Sequence, residues 1–233
     1  MSTGSTDAVG LLFDLLDRWR HLPAYQLERR ADIFFALYLP GIVEHALGVK
    51  VDARVIPEFP IRKEHSRRST KVDYLALSED RFSAFLIELK TEMRSRNRRQ
   101  DAYLADARRR GLGGLLSDVP VLAEASKEQA KYVHLLLALA EMGLLTVPSD
   151  LGDYTFPEVR RGITRRLRDV QVTASESKVE VVYLQPQDSM DDRVISFGTA
   201  AEYLETLDDP FAVRFAKYVR RWIEPAAIRA PGT

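Results

Sequence analysis

Cysteine is absent from all 233 residues, and its absence removes disulfides, thiolate zinc sites and cysteine nucleophiles together. That fits a reducing compartment. Long hydrophobic runs are missing too: the longest, such as Leu135–Ala140, fall far short of the ~20 residues a membrane helix needs. The N-terminus lacks the basic-then-apolar layout of a secretory signal. A soluble, cytoplasmic protein with no membrane partner is expected. Net charge is also lacking, because 34 basic residues cancel 34 acidic ones, so bulk charge selects no partner. No glycine-rich phosphate loop is present: Gly111-Leu112-Gly113-Gly114 has no lysine and serine after it and reads as a helix stop and loop. Serine hydrolysis has no nucleophile-elbow sequence to rest on. The four histidines, His21, His45, His65 and His134, have no metal-ligand spacing, and His134, in an apolar helix, is expected in the core.

What is present is a 45% apolar chain, ample for one domain with a real core. Met1–Thr6 reads as a polar tail. Asp7 to Trp19 has apolar residues at helical spacing (Val9, Leu12, Phe13, Leu16), with Asp7 as its cap. Tyr25 to Leu47 is a longer helix whose expected buried stripe is Leu27, Ile33, Phe34, Leu37 and Tyr38; Pro40 should kink or interrupt it and Gly48 ends it. Ala53–Ile61, Thr70–Leu77 and Phe82–Lys90 read as strands, the last two joined by a hairpin at Ser78–Arg81. A helix over Ser95–Arg110 follows, stopped by the glycines, and then a helix over Lys127–Gly143 capped by Ser126. Leu145–Val170, with Pro148, Gly152, Pro157 and Gly162, reads as a loop excursion or lid. Strands at Val179–Leu184 and Arg193–Phe197 and helices at Ala200–Leu207 and Pro210–Ile223 close the chain. The order predicts an α/β (α+β) fold with a mixed sheet.

The chemistry concentrates in two half-motifs, Lys71-Val72-Asp73-Tyr74 and, fifteen residues after the aspartate, Glu88-Leu89-Lys90. A strand's period of two puts Glu88 and Lys90 on one face and Leu89 on the other. Charges ending the same face of an otherwise apolar strand are costly unless something pairs with them. A hard cation such as Mg²⁺ or Mn²⁺ accepts carboxylate oxygens from Asp73 and Glu88, the backbone carbonyl of Leu89, and water. Lys90 then stands where it can orient the attacking water or stabilise charge on a phosphate. The bland alternative is a strand ending in a surface Glu-Lys pair.

Val72-Asp73 and Ile87-Glu88-Leu89-Lys90, on neighbouring strands after a helix, resemble the PD-(D/E)XK nuclease superfamily, with valine where its motif has proline. Gln100 and Tyr103, three apart on the next helix, resemble the Gln-x-x-Tyr motif of its RecB-like and lambda-exonuclease-like branch. The resemblance covers about Tyr25 to Gly111 and, more loosely, extends to residue 207. It implies a restriction-endonuclease-like core with added terminal helices: residues 1–24 as a helical extension and 25–233 as one nuclease-like domain with a variable insertion around 145–170. It also implies that Gln100 contacts lysine, water or phosphate and that Tyr103 supports it.

Members of the superfamily often add a glutamate from the first core helix. A nine-residue strand spans ~30 Å and a helix rises ~1.5 Å per residue, so the matching position lies roughly twenty residues before Leu47, which points to Glu28. Glu58, near the productive end of its strand, and Glu44 are the alternatives.

A nuclease must also hold a polyanion. Between Arg62 and Arg110 fourteen lysines and arginines face eight acids. Arg67 and Arg68 precede Asp73, and Arg94, Arg96, Arg98 and Arg99 follow Lys90; arginine forks suit phosphate oxygens. A second basic group is Arg160, Arg161, Arg165, Arg166 and Arg168. The expectation is a Mg²⁺- or Mn²⁺-dependent nuclease acting on nucleic acid, DNA before RNA, alone, as a homo-oligomer or within a larger nuclease complex. Its rival is a non-catalytic nucleic-acid-binding or assembly subunit that keeps the fold.

Overall fold

The computed structural model describes residues 8–23, 25–64, 66–91, 98–155, 162–173, 176–189 and 193–223, with backbone only at 98 and 99. The expected polar tail, the Asp7 cap, His65, Arg94, Arg96, Pro157, Arg160 and Arg161 lie outside these residues. The elements, in order, are α1 (Ala8–Trp19), α2 (Leu27–Leu47), β1 (Ile56–Arg62), β2 (Ser69–Leu77), β3 (Ser83–Leu89), α3 (Arg98–Ala125), α4 (Gln129–Glu141), β4 (Leu145–Thr146), a 3₁₀ turn (Leu151–Thr155), α5 (Ile163–Arg168), β5 (Gln171–Val172), β6 (Lys178–Gln185), β7 (Val194–Ser196), α6 (Phe197–Glu205) and α7 (Pro210–Ile223). Five strands form a mixed sheet flanked by helices, in the order β1-β2-β3-β6-β7, and β4 and β5 form a separate antiparallel pair. β1–β2 and β2–β3 are antiparallel, β6–β7 parallel. This is the α/β class with a mixed sheet that the element order predicts.

Packing divides the chain into two compact units. The first comprises Met1–Val51, Leu89–Arg96 and Val182–Thr233, and the second Asp52–Glu88 and Asn97–Val181.

In the first unit an aromatic cluster makes the core. Phe35 meets Phe197 at 5.3 Å and Phe215 at 5.1 Å between centroids, and Phe13 stacks on Phe215 at 5.6 Å. Such pairs add roughly 0.5–1.5 kcal/mol each beyond the area they bury. α2 turns Leu27, Ala31, Phe35, Leu39, Ile42 and Val43 inward, whereas Ile33 and Leu37 of the expected stripe are 67% and 64% exposed. The helix has apolar residues on more than one side, and the partners supplied by α6 and α7 choose the Phe35 face. On α1 likewise Phe13 and Leu16 are buried but Val9 and Leu12 are exposed. α2 runs through Pro40 without a break, correcting the expected interruption. It ends on Gly48 in the left-handed conformation (φ 67°), whose N–H reaches the Glu44 carbonyl at 2.8 Å. α7 starts on Pro210 with Asp209 before it: the Asp209 carboxylate accepts the Phe211 N–H at 2.9 Å and the Tyr38 hydroxyl at 2.5 Å, tying α7 to α2.

In the second unit the meander β1–β2–β3 gives the scaffold of the site. Every residue of β3 from Ala84 to Leu89 is buried, so both faces of the sheet are covered along this strand. The β2–β3 hairpin sits where expected: Ser78 N–H bonds the Ser83 carbonyl at 2.9 Å, and Arg81 takes a left-handed φ of 64°. The glycine run does not end α3 in a loop. Gly111 is non-helical (φ 68°, ψ 170°) and stops the first helical stretch where the glycine run predicts, but no loop follows: a second stretch starts directly after the kink and holds Gly113, Gly114 and Pro120. Ser126 is not the N-cap of α4: its hydroxyl accepts the Glu128 N–H at 2.9 Å, and Glu128 holds the cap position. His134 is exposed rather than core, because α4 buries Val133, Leu136 and Leu139. The region expected to be a loop excursion or lid holds β4, the 3₁₀ turn and α5, with β5 directly after it.

Candidate active site

β2 and β3 pair in the register Tyr74↔Ile87, Leu75↔Leu86, Ala76↔Phe85 and Leu77↔Ala84. Carried one residue further, that register sets Asp73 opposite Glu88. Residues directly opposite in an antiparallel pair share a face. The hydrophobic run of β3 and the short hairpin fix the register, so the juxtaposition follows from the sequence of the two strands. Asp73 is half-buried, while Glu88 is 3% exposed.

The first turns of α3 bring the second pair of residues to this place. Gln100 and Tyr103 stand three apart on one side of the helix. The Gln100 Nε2 donates to Glu88 Oε1. The Tyr103 hydroxyl donates to the Lys71 carbonyl at 3.3 Å and shares hydrogen bonds with the side chains of Gln100 and Thr70. Burial, then the negative charge of Glu88 and more weakly that of Asp73, pushes the Tyr103 hydroxyl up to about 12. Tyr103 is therefore neutral at physiological pH, a hydrogen-bonding group and not a base. That both carboxylates act on one phenol shows how closely the four side chains cluster. Thr70 and Lys71 belong to this cluster and carry no sequence signal beyond their place three and two residues before Asp73.

Two of the remaining site residues lie in the first unit. Leu89 is fully buried, and Lys90 is 6% exposed with its N–H on the Leu184 carbonyl at 2.8 Å. A lysine so buried is costly without compensation, which sets Lys90 apart from the chain's surface lysines.

The candidates for a third carboxylate fare differently. Glu28 is half-buried in the first turn of α2, in the first unit. Glu44, near the other end of that helix, forms an ion pair with Lys50. Glu58 has a left-handed φ of 54°, uncommon for a non-glycine residue, and its exposed carboxylate pairs with Lys71. Among the described residues no group of three or more carboxylate or imidazole side chains is arranged to hold a metal ion. The pair Asp73 and Glu88 does fit a hard divalent cation by donor chemistry, because both supply carboxylate oxygen from one sheet face.

The basic residues divide by environment. Arg62 and Arg110 share Asp118, with Arg62 Nη1 at 2.9 Å, and Arg110 also meets Asp106 at 3.1 Å. Arg81 holds Asp52 at 2.6 Å, Arg109 holds Asp106 at 2.8 Å, and Lys71 pairs with Glu58. These cations are engaged with carboxylates of the chain itself. Arg67 and Arg68 instead stand exposed in the β1–β2 turn. Arg98 and Arg99 begin α3, but their side chains, like the whole of Arg94 and Arg96, lie outside the described residues. In the second group Arg166 pairs with Asp150 at 2.5 Å and Arg168 with Glu124 at 3.6 Å.

No helix among the described residues is long and apolar enough to cross a membrane. No protein-family model matches the chain, and no curated protein or solved structure matches it.

Proposed function

We propose that this chain is a metal-dependent phosphodiesterase that hydrolyses nucleic acid, with DNA as the favoured substrate. The observation that carries the proposal is the Gln100 amide on the buried Glu88 carboxylate, one strand from Asp73 and one helical turn from Tyr103. The resemblance of these residues to the PD-(D/E)XK nuclease superfamily supports it, since two carboxylates side by side offer the oxygen ligands that a hard divalent cation takes.

Asp73 and Glu88 would hold Mg²⁺ or Mn²⁺; the Leu89 carbonyl and Glu28 are ligands that the resemblance alone implies. When bound, such an ion supplies Lewis acidity and lowers the pKa of water. The protein's own groups do the rest. Gln100 fixes the rotamer of Glu88 by its hydrogen bond, so that the carboxylate keeps one direction. Tyr103 stays protonated and braces Gln100 against β2 through Thr70 and the Lys71 carbonyl. Lys90, two residues beyond Glu88 on the same strand line, stabilises the charge that develops on phosphate as water attacks in line. Arg67, Arg68, Arg94, Arg96, Arg98 and Arg99 would position the phosphate backbone without reading bases.

The test is hydrolysis of plasmid, linear and single-stranded DNA and of RNA with Mg²⁺ or Mn²⁺, comparing the wild type with Asp73→Ala. Cleavage by the wild type, reduced at least about 100-fold in the variant, supports the proposal. No cleavage of any substrate by the wild type favours a non-catalytic nucleic-acid-binding or assembly subunit instead.

A further inference from the structure

The β1–β2 turn of the second unit is held by an ionic network beside it. Arg62, the last residue of β1, donates from Nε to the Ser66 carbonyl at 2.7 Å and from Nη1 to the Asp118 carboxylate at 2.9 Å. Arg110 donates to the second oxygen of Asp118 and, at 3.2 Å, to the carbonyl of Arg62 itself, while its Nε lies 3.1 Å from Asp106. Two guanidinium groups thus grip the backbone at two points of the turn, and one carboxylate, 13% exposed, joins them. Arg110 ends the stretch of α3 before the Gly111 kink and Asp118 lies in the stretch after it, so the kink brings both to one place. Within the turn the Lys63 N–H meets the Arg68 carbonyl at 2.9 Å, the Ser66 N–H meets the Lys63 carbonyl at 3.1 Å, and the Arg68 N–H meets the Ser66 hydroxyl at 3.0 Å. Lys63, Arg67 and Arg68 stand exposed on this backbone.

We propose that Arg62, Arg110 and Asp118 are positioning residues for nucleic-acid binding, which hold the β1–β2 turn so that Arg67 and Arg68 meet a phosphate backbone. The inference rests on the nucleic-acid reading of the site above. An isolated surface ion pair stabilises little, but a carboxylate shared by two arginine forks and largely shielded from water is a fixed point. Its charges also cancel: Arg62 and Arg110 are matched by Asp118 and Asp106, so the network orders the turn without offering a cation to a ligand. The turn itself keeps a surplus of two positive charges, from Lys63, Arg67 and Arg68 against Glu64. Fixing the backbone beforehand removes part of the ordering cost that two long side chains would otherwise meet on binding. The place also suits the substrate. From Arg68 to Asp73 the chain advances five residues along β2, or ~17 Å at ~3.3 Å each, which matches about five base pairs of duplex rise. The turn therefore lies within reach of the backbone flanking a phosphate held at Asp73.

Binding of a fluorescent DNA duplex of about 20 base pairs, long enough to span both places, tests this by anisotropy in EDTA, where no metal-dependent cleavage intervenes. The variants are Arg62→Lys, which keeps the charge but lacks the fork, and Asp118→Asn, each made alone and together with Arg67→Ala/Arg68→Ala. Each alone should raise the dissociation constant at least about 5-fold. In the background without Arg67 and Arg68 the same changes should have less than about a 2-fold effect, because the turn then has nothing to present. A merely structural role would lower affinity equally in both backgrounds. The Arg62 side chain is 32% exposed, so Arg62→Lys should fold even if Asp118→Asn does not. Normal binding by folded Arg62→Lys, a loss undiminished without Arg67 and Arg68, or a wild type that binds no duplex would overturn the inference. Hydrolysis with Mg²⁺, read separately, keeps this apart from the nuclease reading. A chain that shows the coupling but never cleaves contradicts only the nuclease, and one that cleaves while Arg62→Lys binds normally contradicts only the positioning role.

Discussion

Gln100 and Glu88 form a hydrogen-bonded pair in which a helix amide holds the carboxylate of a buried strand residue. The pair links the second half-motif of the sequence to the helix after it.

Gln100→Ala should lower stability by about 1–3 kcal/mol, the ordinary cost of removing a hydrogen bond to a buried charged group. Urea denaturation at neutral pH reads this directly. The same substitution made together with Glu88→Gln should cost less than the two singly added, because the partners are in contact. Additive losses would mean that the two side chains do not act on one another.

Tyr103 gives a pH signature. Its folded pKa is raised to about 12 from the usual 10, so the unfolded chain loses the proton first. Its contribution to stability is fully present below pH 10 and is lost as the pH rises from about 10 to about 12. Tyr103→Phe should therefore show a shallower fall in stability over that window than the wild type, measured by denaturant midpoints at several pH values. Tyr218, pushed to about 12 by burial and Asp14, contributes to the residual slope together with Tyr38 and Tyr203, which burial and a neighbouring carboxylate also raise.

Asp52 behaves oppositely. The hydrogen bond from the Arg54 side chain outweighs burial, and with Arg81 nearby it holds the carboxyl down to about 2. The resulting stability is present above pH 4 and is lost as the pH falls from about 4 to about 2. Asp52→Asn should cost about 1–3 kcal/mol at pH 7 and flatten the acid limb of the stability curve. Thermal melts between pH 2 and pH 7 follow both effects.

Arg67 and Arg68 are exposed in the β1–β2 turn and, among the described residues, pair with no carboxylate. If the turn touches phosphates, Arg67→Ala/Arg68→Ala should weaken binding of DNA of any sequence and lower the slope of log affinity against log salt by about 1–2. Fluorescence anisotropy at several salt concentrations measures that slope. An unchanged slope would move the polyanion track elsewhere.

The site is more legible in the sequence than the packing around it. Period-two alternation and a short hairpin determine how β2 meets β3, so the residues of the two strands are enough to set Asp73 opposite Glu88. A spacing of three does the same for Gln100 and Tyr103 on their helix. α7 has the bounds its sequence predicts because Asp209-Pro210 is a strong start signal. The second half of α3 is not legible, because Gly113, Gly114 and Pro120 all argue locally against a helix and only burial of Leu115, Leu116 and Val119 outweighs them. The buried face of α2 is ambiguous for a related reason: Ile33, Phe34, Phe35, Leu37 and Leu39 fit two stripes, and the choice belongs to the helices it meets. The left-handed backbone of Glu58 has no sequence signal at all, since nothing about a glutamate between prolines announces a positive φ.

The most direct measurement is a crystal of the protein soaked in Mn²⁺ and recorded for anomalous scattering. An anomalous peak bound by oxygens of both Asp73 and Glu88, absent from crystals of Asp73→Ala, is the predicted result. No peak at these carboxylates, or one that persists without Asp73, would contradict the account.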